Sequence, residues 1–326
     1  ERGRVATALA VPVGALRICP AERFDSGGWR SERVGYWQYG LINFVAFAEM
    51  LRNRTAGKVD LLSGARARQI ASFPAGLHLS GAQFAPFADW DETVAIAPGI
   101  AQRLAERTGE ASLLALRTAP GLSGENWRLP VALRSLLWWD SGLGNPEPAG
   151  DACLPETGIA RFVARWMDAP IALAIKAGHN RENHNHNDIG SFVLHVAGES
   201  LLTDPGRGQY SRQYFGPERY DNCFANSYGH SVPRVGGLLQ QAGREYAGKL
   251  ISIAPGALTK RVEIEFGRAY PLATLLSARR IVTLDASGAS LEDWFHFDVN
   301  PLEVEEAFIT WADIATRAPQ MALTMH

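Results

Sequence analysis

The segment Lys176-Ala-Gly-His-Asn-Arg-Glu-Asn-His-Asn-His-Asn-Asp-Ile-Gly-Ser-Phe192 is the densest polar stretch of the chain. With His195 it carries four of the eight histidines. If residues 183–189 are extended, His184, His186 and Asp188 point to one side, spaced roughly 6–7 Å apart at the backbone. One imidazole can then bind a metal while its neighbour faces a substrate. Fifteen or so residues on, Leu202-Thr-Asp-Pro-Gly206 sets Asp204 at a strand end, with Pro205 as the stop, and Asn226-Ser-Tyr-Gly-His230 adds a further imidazole. Two histidines and a carboxylate from separate strand ends form a nitrogen/oxygen donor set that suits zinc. The alternative for the same residues is a polar loop with strand-end turns. A second candidate is Gly27-Gly-Trp-Arg-Ser-Glu-Arg-Val-Gly-Tyr-Trp-Gln-Tyr-Gly40. On a helix, Tyr36 and Tyr39 stand one turn apart. Gly35 and Gly40 each weaken that helix by about 1 kcal/mol relative to Ala, which is easier to explain if something must approach the backbone. Aromatics there would otherwise be core.

Period separates the chain into two kinds of element. Leu41, Phe44, Val45, Ala48 and Leu51 share one helix face. Pro98, Ile100, Ala101, Leu104 and Ala105, closed by Gly109, read as a helix with start and stop signals. Val131–Trp139, with Pro130 near its first turn, reads as another. Ser141–Gly150 is rich in Gly and Pro and reads as a linker. Beyond it the period becomes two: Phe192, Leu194 and Val196; Val262, Ile264 and Phe266; Leu291, Asp293, Phe295 and Phe297. Turn pairs Ala197-Gly198 and Ser287-Gly288 separate the runs. The expectation is a helical part over 1–150 and an antiparallel β part over 151–326, as two stacked sheets.

Composition limits the partners. The chain has 326 residues, 46% of them hydrophobic, and a net charge of −2 from 34 acidic and 32 basic residues. That is a globular chain of two domains rather than one, without the clustered positive charge of a nucleic-acid binder. Cys19, Cys153 and Cys223 form no CxxC pair, which speaks against a thiolate zinc site or a dense disulfide framework. No apolar run reaches the roughly 18 residues that span a bilayer, so no membrane partner is expected. Arg2 and Arg4 precede an apolar stretch from Val5 to Leu16, but Pro12, Arg17 and the lack of an initiator Met favour a structural segment over an export signal. The chain opens at Glu1 as if cut from something longer.

Taken in order, His184–Phe192, Thr203-Asp-Pro-Gly206 and Asn226–His230 with Gln240 following resemble the heparinase II/III-like polysaccharide lyases and the alginate lyases of the same superfamily. Gly28–Tyr39 resembles the helix that carries that family's catalytic tyrosine. The likeness runs over roughly residues 20–310. It implies an α+β multidomain protein: a helical (α/α) toroid, here incomplete, followed by an antiparallel β-sandwich. It further implies β-elimination on a uronic-acid-containing polysaccharide. By motif position, His186, Asp204 and His230 match the zinc ligands, His184 the acid/base histidine, and Tyr36 the tyrosine that moves the proton. Tyr39 is the fallback and Tyr210 a weaker candidate. The implied partner is an acidic polysaccharide or oligosaccharide, met in the periplasm or outside the cell.

The chemistry asks for such groups. One group takes the weakly acidic C5 proton of the uronate and one protonates the leaving oxygen. A tyrosine base, with a reference pKa of ~10, needs positive charge nearby. The carboxylate needs neutralising as charge develops. Arg33, His179, Asn180, Asn183 and Arg219 are the candidates to meet substrate; Arg181 is also available. His195, inside a strand, is expected to be packed. The chain departs from the family in one respect. The family's carboxylate-neutralising Asn or His stands upstream of the tyrosine helix, but here the only histidine before His179 is His78, downstream of Tyr36, so either the toroid is truncated in this chain or the charge is neutralised otherwise. Two other functions fit the donor set: a zinc-dependent glycan hydrolase, in which zinc lowers the pKa of a bound water to about 7, and a non-catalytic protein that binds acidic glycans.

Overall fold

Leu41, Val45, Ala48 and Leu51 are buried along one face of a helix, α1 (Arg33–Arg54), with Phe44 half-buried beside them. Arg52 and Arg54 in its last turn complement the helix dipole. The computed structural model describes residues 33–118, 129–144, 146–256, 258–298, 300–317 and 320–324. The candidates Arg2, Arg4, 5–16 and Cys19, the first part of the tyrosine motif (28–32) and the side chain of Arg33 lie outside the described residues.

Among the described residues, one unit takes 33–75 and 95–148, and the other takes 76–94 and everything from 149 onward. The first is helical: α1, α2 (Ala65–Ser72), α3 (Pro98–Thr108) and α4 (Leu129–Leu137). Trp37, fully buried, donates its indole N–H to the Ile70 carbonyl at 2.6 Å and ties α1 to α2. Gln38, also on α1, accepts the Ala97 N–H and donates to the Ala95 carbonyl, satisfying groups at the start of α3. α3 begins at Pro98 and ends at Gly109, whose φ of 71° lets its N–H return to the Ala105 carbonyl at 2.8 Å. α4 starts two residues earlier than the period suggested, with Pro130 in its first turn.

In the second unit, a short hairpin of β1 (His78–Ser80) and β2 (Gln83–Phe84) comes first. β3 (Ala152–Leu154), β4 (Ile159–Trp166), β5 (Ala169–Lys176), β6 (Gly178–Asn180), β7 (Phe192–Val196) and β8 (Glu199–Leu202) follow. Then come β9 (Arg234–Val235), β10 (Gly243–Ala254), β11 (Lys260–Glu265), β12 (Leu275–Asp285), β13 (Gly288–Phe297), β14 (Val304–Glu305), β15 (Asp313–Arg317) and β16 (Gln320–Thr324). Two antiparallel sheets dominate, ordered β3-β4-β5-β7-β8 and β13-β12-β11-β10-β6. Both feed one buried cluster: Phe162, Leu173, Ile175 and Phe192 from the first, Val262, Ile264, Val282 and Leu284 from the second. Each fully buried side chain of this size stabilises by about 1.5–3 kcal/mol, so the period-two apolar positions define which sheet faces meet. The β7–β8 hairpin turns on Ala197 and Gly198, both at positive φ (52° and 95°), the backbone of a two-residue turn that matches strand twist.

The boundary expected at 150 needs a correction, because residues 76–94 belong to the β unit and not to the helical one. Phe84 N–H donates to Glu92 O at 2.8 Å, and the buried Arg161 of β4 donates to the His78 carbonyl at 2.7 Å. Strands of two and three residues carry no readable alternation, so the period could not reveal them.

Gly158 gives a direct test of this packing. Its φ is +65°, and a Cβ there would stand 2.4 Å from the Gly178 nitrogen and 2.7 Å from the Ala177 carbonyl carbon. Both are backbone atoms and cannot swing aside. Gly158→Ala is expected to destabilise the protein by about 1–3 kcal/mol, read as a drop in the thermal unfolding midpoint.

Candidate active site and metal centre

The β6–β7 connection is not extended, which corrects the spacing argument for His184, His186 and Asp188. It is a run of turns in which His184 takes φ +54°, a left-handed conformation that costs a non-glycine residue and that concentrates at functional sites. The three side chains therefore go to three different partners. Asp188 is fully buried and pairs with Lys176 at the end of β5. His186 is fully buried, while His184 keeps 23% of its side chain exposed. Only His184 of the two imidazoles is open to solvent.

The intervening asparagines hold this loop. Asn185 Oδ1 accepts the Glu182 N–H at 3.3 Å, and its amide donates to Asn187 Oδ1 at 3.2 Å. Asn187 donates to the Gln240 carbonyl at 3.2 Å, and Gln240 clasps Ile189 through both its N–H and its carbonyl (3.0 and 2.7 Å). Alternate His and Asn in the sequence thus become candidate site residues and struts.

His186, Asp204 and His230 come together, all buried, with one possible ligand atom from each within 4.8 Å of the others. Among the described residues this is the one group of three or more such side chains placed to hold a metal ion. Its hydrogen bonding fits a cation. His186 Nε2 lies 2.8 Å from Asp89 Oδ1, whereas its buried Nδ1 has no hydrogen-bond partner. Burial pushes the His186 imidazole below its ordinary pKa, outweighing the Asp89 hydrogen bond that raises it, so the ring is neutral with a lone pair to give. At His230, Nε2 faces the Phe224 carbonyl at 3.2 Å and Nδ1 faces Asp204 Oδ2 at 2.8 Å. Both partners are acceptors, and a neutral imidazole has one N–H to offer. A cation held by His230 and Asp204 would remove that conflict; without one, burial lowers the His230 pKa but Asp204 outweighs it and raises it.

Asp89, which the sequence reading missed, is the second centre. Its side chain is fully buried. Oδ1 meets His186 Nε2 and the Tyr214 hydroxyl; Oδ2 meets His184 Nδ1 at 3.0 Å and the Arg219 guanidinium at 2.8 Å. Burial works to raise this carboxyl's pKa, but hydrogen bonds from His184, His186 and Tyr214 hold it well below the usual range. Burial first, and Asp89 next, push the Tyr214 hydroxyl above the usual tyrosine value, so it stays protonated and donates. The only sequence signal at Asp89 is an acidic residue among Phe87, Trp90, Asp91 and Glu92, and nothing there points to a partner 95 residues on.

The other candidates divide by surroundings. Arg219 donates to Asp89, to the Asn185 carbonyl and to the Tyr214 carbonyl, and stacks 4.5 Å over the Tyr214 ring; it fastens the site. Asn180 is buried in β6 with its amide on the Gln241 carbonyl at 2.9 Å. His179 is half-buried and Asn183 exposed. Tyr210 is partly exposed, its hydroxyl 3.4 Å from the Asp89 carbonyl and its ring 4.7 Å from Phe215, which in turn sits edge-on to His184 at 6.2 Å. Tyr36, half-buried, and Tyr39, exposed, lie one turn apart on α1 of the helical unit. His195 is buried between Ser80 (2.8 Å) and Ser200 (2.9 Å), packed as expected. Cys153 and Cys223 are free thiols.

Residues 146–295 match the family model for the heparinase II/III-like C-terminal region. This stretch is heparinase II/III-like. Solved structures agree at the level of fold. The heparinase III BT4657 gene product with methylated lysines is 14% identical at a TM-score of 0.65, over 94% of this chain and 44% of its own. Heparan sulfate lyase HepC from Pedobacter heparinus is 14% identical at a TM-score of 0.60, over 88% of this chain and 41% of its own. The chain therefore spans less than half the length of these structures. Comparison with curated proteins found no match. The imidazoles, Asp188, Asp204 and His230 all fall inside the heparinase II/III-like stretch, whereas Asp89 lies outside it. Among the described residues, no helix is long and apolar enough to cross a membrane.

Proposed function

We propose that this chain acts in a polysaccharide lyase, cleaving a uronic-acid-containing polysaccharide by β-elimination on a helical (α/α) toroid followed by a β-sandwich. The observation that carries the reading is the partly exposed His184 imidazole, held by a buried carboxylate beside the buried His186/Asp204/His230 cluster. Zinc bound by those three residues would supply fixed positive charge and hold them in place. The elimination removes the C5 proton; the C–H electron pair becomes the C4–C5 double bond, and the 4-oxygen leaves and is protonated. His184 and Tyr36 are the acid/base pair in this reading, with Tyr39 and then Tyr210 as the alternatives for the phenol.

His179, Asn183 and Arg33 are the proposed substrate contacts, since Asn180 and Arg219 are engaged in holding the loops. The exposed Phe215 ring beside Tyr210 suits the apolar face of a sugar. Extracellular or periplasmic polymer is the proposed substrate pool.

Incubation with a panel of uronate polymers, heparan sulfate and alginate among them, is expected to release products with the ultraviolet absorbance of an unsaturated uronate. Tyr36→Phe is expected to lower that rate by about 10²-fold or more, as loss of a general acid/base does. An unchanged rate in Tyr36→Phe would remove that phenol from the reaction. Products lacking a double bond would replace elimination by hydrolysis, and binding without turnover would leave a glycan-binding protein.

A further inference from the structure

Both candidate functional imidazoles hang on one carboxylate. His184 presents Nδ1 to Asp89 Oδ2 at 3.0 Å, and His186 presents Nε2 to Asp89 Oδ1 at 2.8 Å. A carboxylate that pairs with a guanidinium has only acceptor oxygens to offer, so each contact is made by an N–H of the imidazole. The proton on His184 is thereby placed on Nδ1, leaving Nε2 as the basic nitrogen. The proton on His186 is placed on Nε2, leaving the buried, unpartnered Nδ1 as the donor atom for a cation. Opposite tautomers of two histidines two residues apart follow from one side chain. Asp89 is itself clamped by Arg219 at 2.8 Å and by the Tyr214 hydroxyl, which fixes the carboxylate plane.

We propose that Asp89 is the positioning residue of this centre: it sets the tautomer of His184 for proton transfer and that of His186 for metal binding, and so links the two. The His184 half of the statement rests on the lyase reading for its use in catalysis, but not for the tautomer itself. Partners that orient a ligating histidine commonly change metal affinity by 10–100-fold when lost.

The test uses the full chain labelled with 15N at histidine. In the wild type, long-range proton–nitrogen spectra are expected to show His184 as the Nδ1–H form and His186 as the Nε2–H form. Competition with a chromogenic chelator is expected to show zinc bound about 10–100-fold more weakly by Asp89→Asn than by the wild type, with His184 losing its single tautomer. Asp89→Glu, which keeps the charge, is expected to recover part of the zinc affinity. If Asp89→Asn fails to fold, the wild-type spectrum still decides. His184 protonated on Nε2 overturns the proposal, and so does zinc affinity unchanged in a folded Asp89→Asn. A wild type that binds no zinc also overturns the link. A wild type with the expected tautomers and zinc affinity but no lyase activity supports the role of Asp89 and sinks the lyase reading instead, so the two failures are distinguishable.

Discussion

His184→Asn is expected to lower kcat/KM on the uronate polymer by about 10²–10⁴-fold, the range set by removing a general acid or base. Asparagine is chosen because it tolerates the positive φ of 54° found at this position and because its amide can still donate to Asp89 Oδ2. The variant keeps the loop and the contact, and loses only the second ring nitrogen. His184 is the one imidazole of the pair with solvent exposure, at 23% against zero for His186, so it is the one able to meet a substrate. The thermal midpoint is expected to stay within a degree or two of the wild type, since the side chain is not core. Steady-state rates on the polymer that responds in the wild type check the effect. Full activity in a folded His184→Asn would show that the proton is handled elsewhere.

A second large effect is expected on stability. Lys176 and Asp188 form an ion pair with both side chains wholly buried. Lys176→Met keeps most of the volume and removes the charge, which leaves a buried carboxylate without its cation. Breaking one side of such a pair costs about 3–5 kcal/mol, enough to shift the urea midpoint strongly. The pH dependence follows from Asp188. Burial tends to raise its pKa, but the charge of Lys176 outweighs that and holds it low, with His230 and His186 adding to the effect. A carboxyl depressed in the folded state stabilises above its unfolded pKa of ~3.9, and that contribution is lost as pH falls through the folded value. In Lys176→Met the same carboxyl is raised and takes up a proton more readily, which relieves the variant. The stability gap between wild type and variant is therefore expected to be widest near neutral pH and to narrow as pH falls. A gap that stays constant with pH, measured by urea unfolding, would mean that Asp188 is neutral or solvated in the folded protein.

Burial patterns made much of the architecture legible. α3 runs from Pro98 to a left-handed Gly109, and Val262, Ile264 and Phe266 face the core while Arg261, Glu263 and Glu265 do not. Local rules suffice there because caps and strand alternation act over a few residues. The grouping of His186, Asp204 and His230 was also legible, through ordered motifs, whereas the extended 183–189 segment expected to put His184, His186 and Asp188 on one side is a run of turns. That segment is held by a turn network of Asn185, Asn187 and Gln240, whose bonds span up to 53 residues and leave no periodic trace.

Sequence by itself determined which residue types were at hand: two imidazoles two residues apart, an Asp before Pro-Gly, a later His, and strands that alternate. Tertiary structure decided how they are used. It brought Asp89 from a segment read as helical into the β unit, sent Asp188 to Lys176 rather than toward the donor set, and buried His186 while leaving His184 open. The reason is that hydrogen bonds to a buried carboxylate are selected by three-dimensional proximity and desolvation, and neither is encoded in the spacing of residues along the chain.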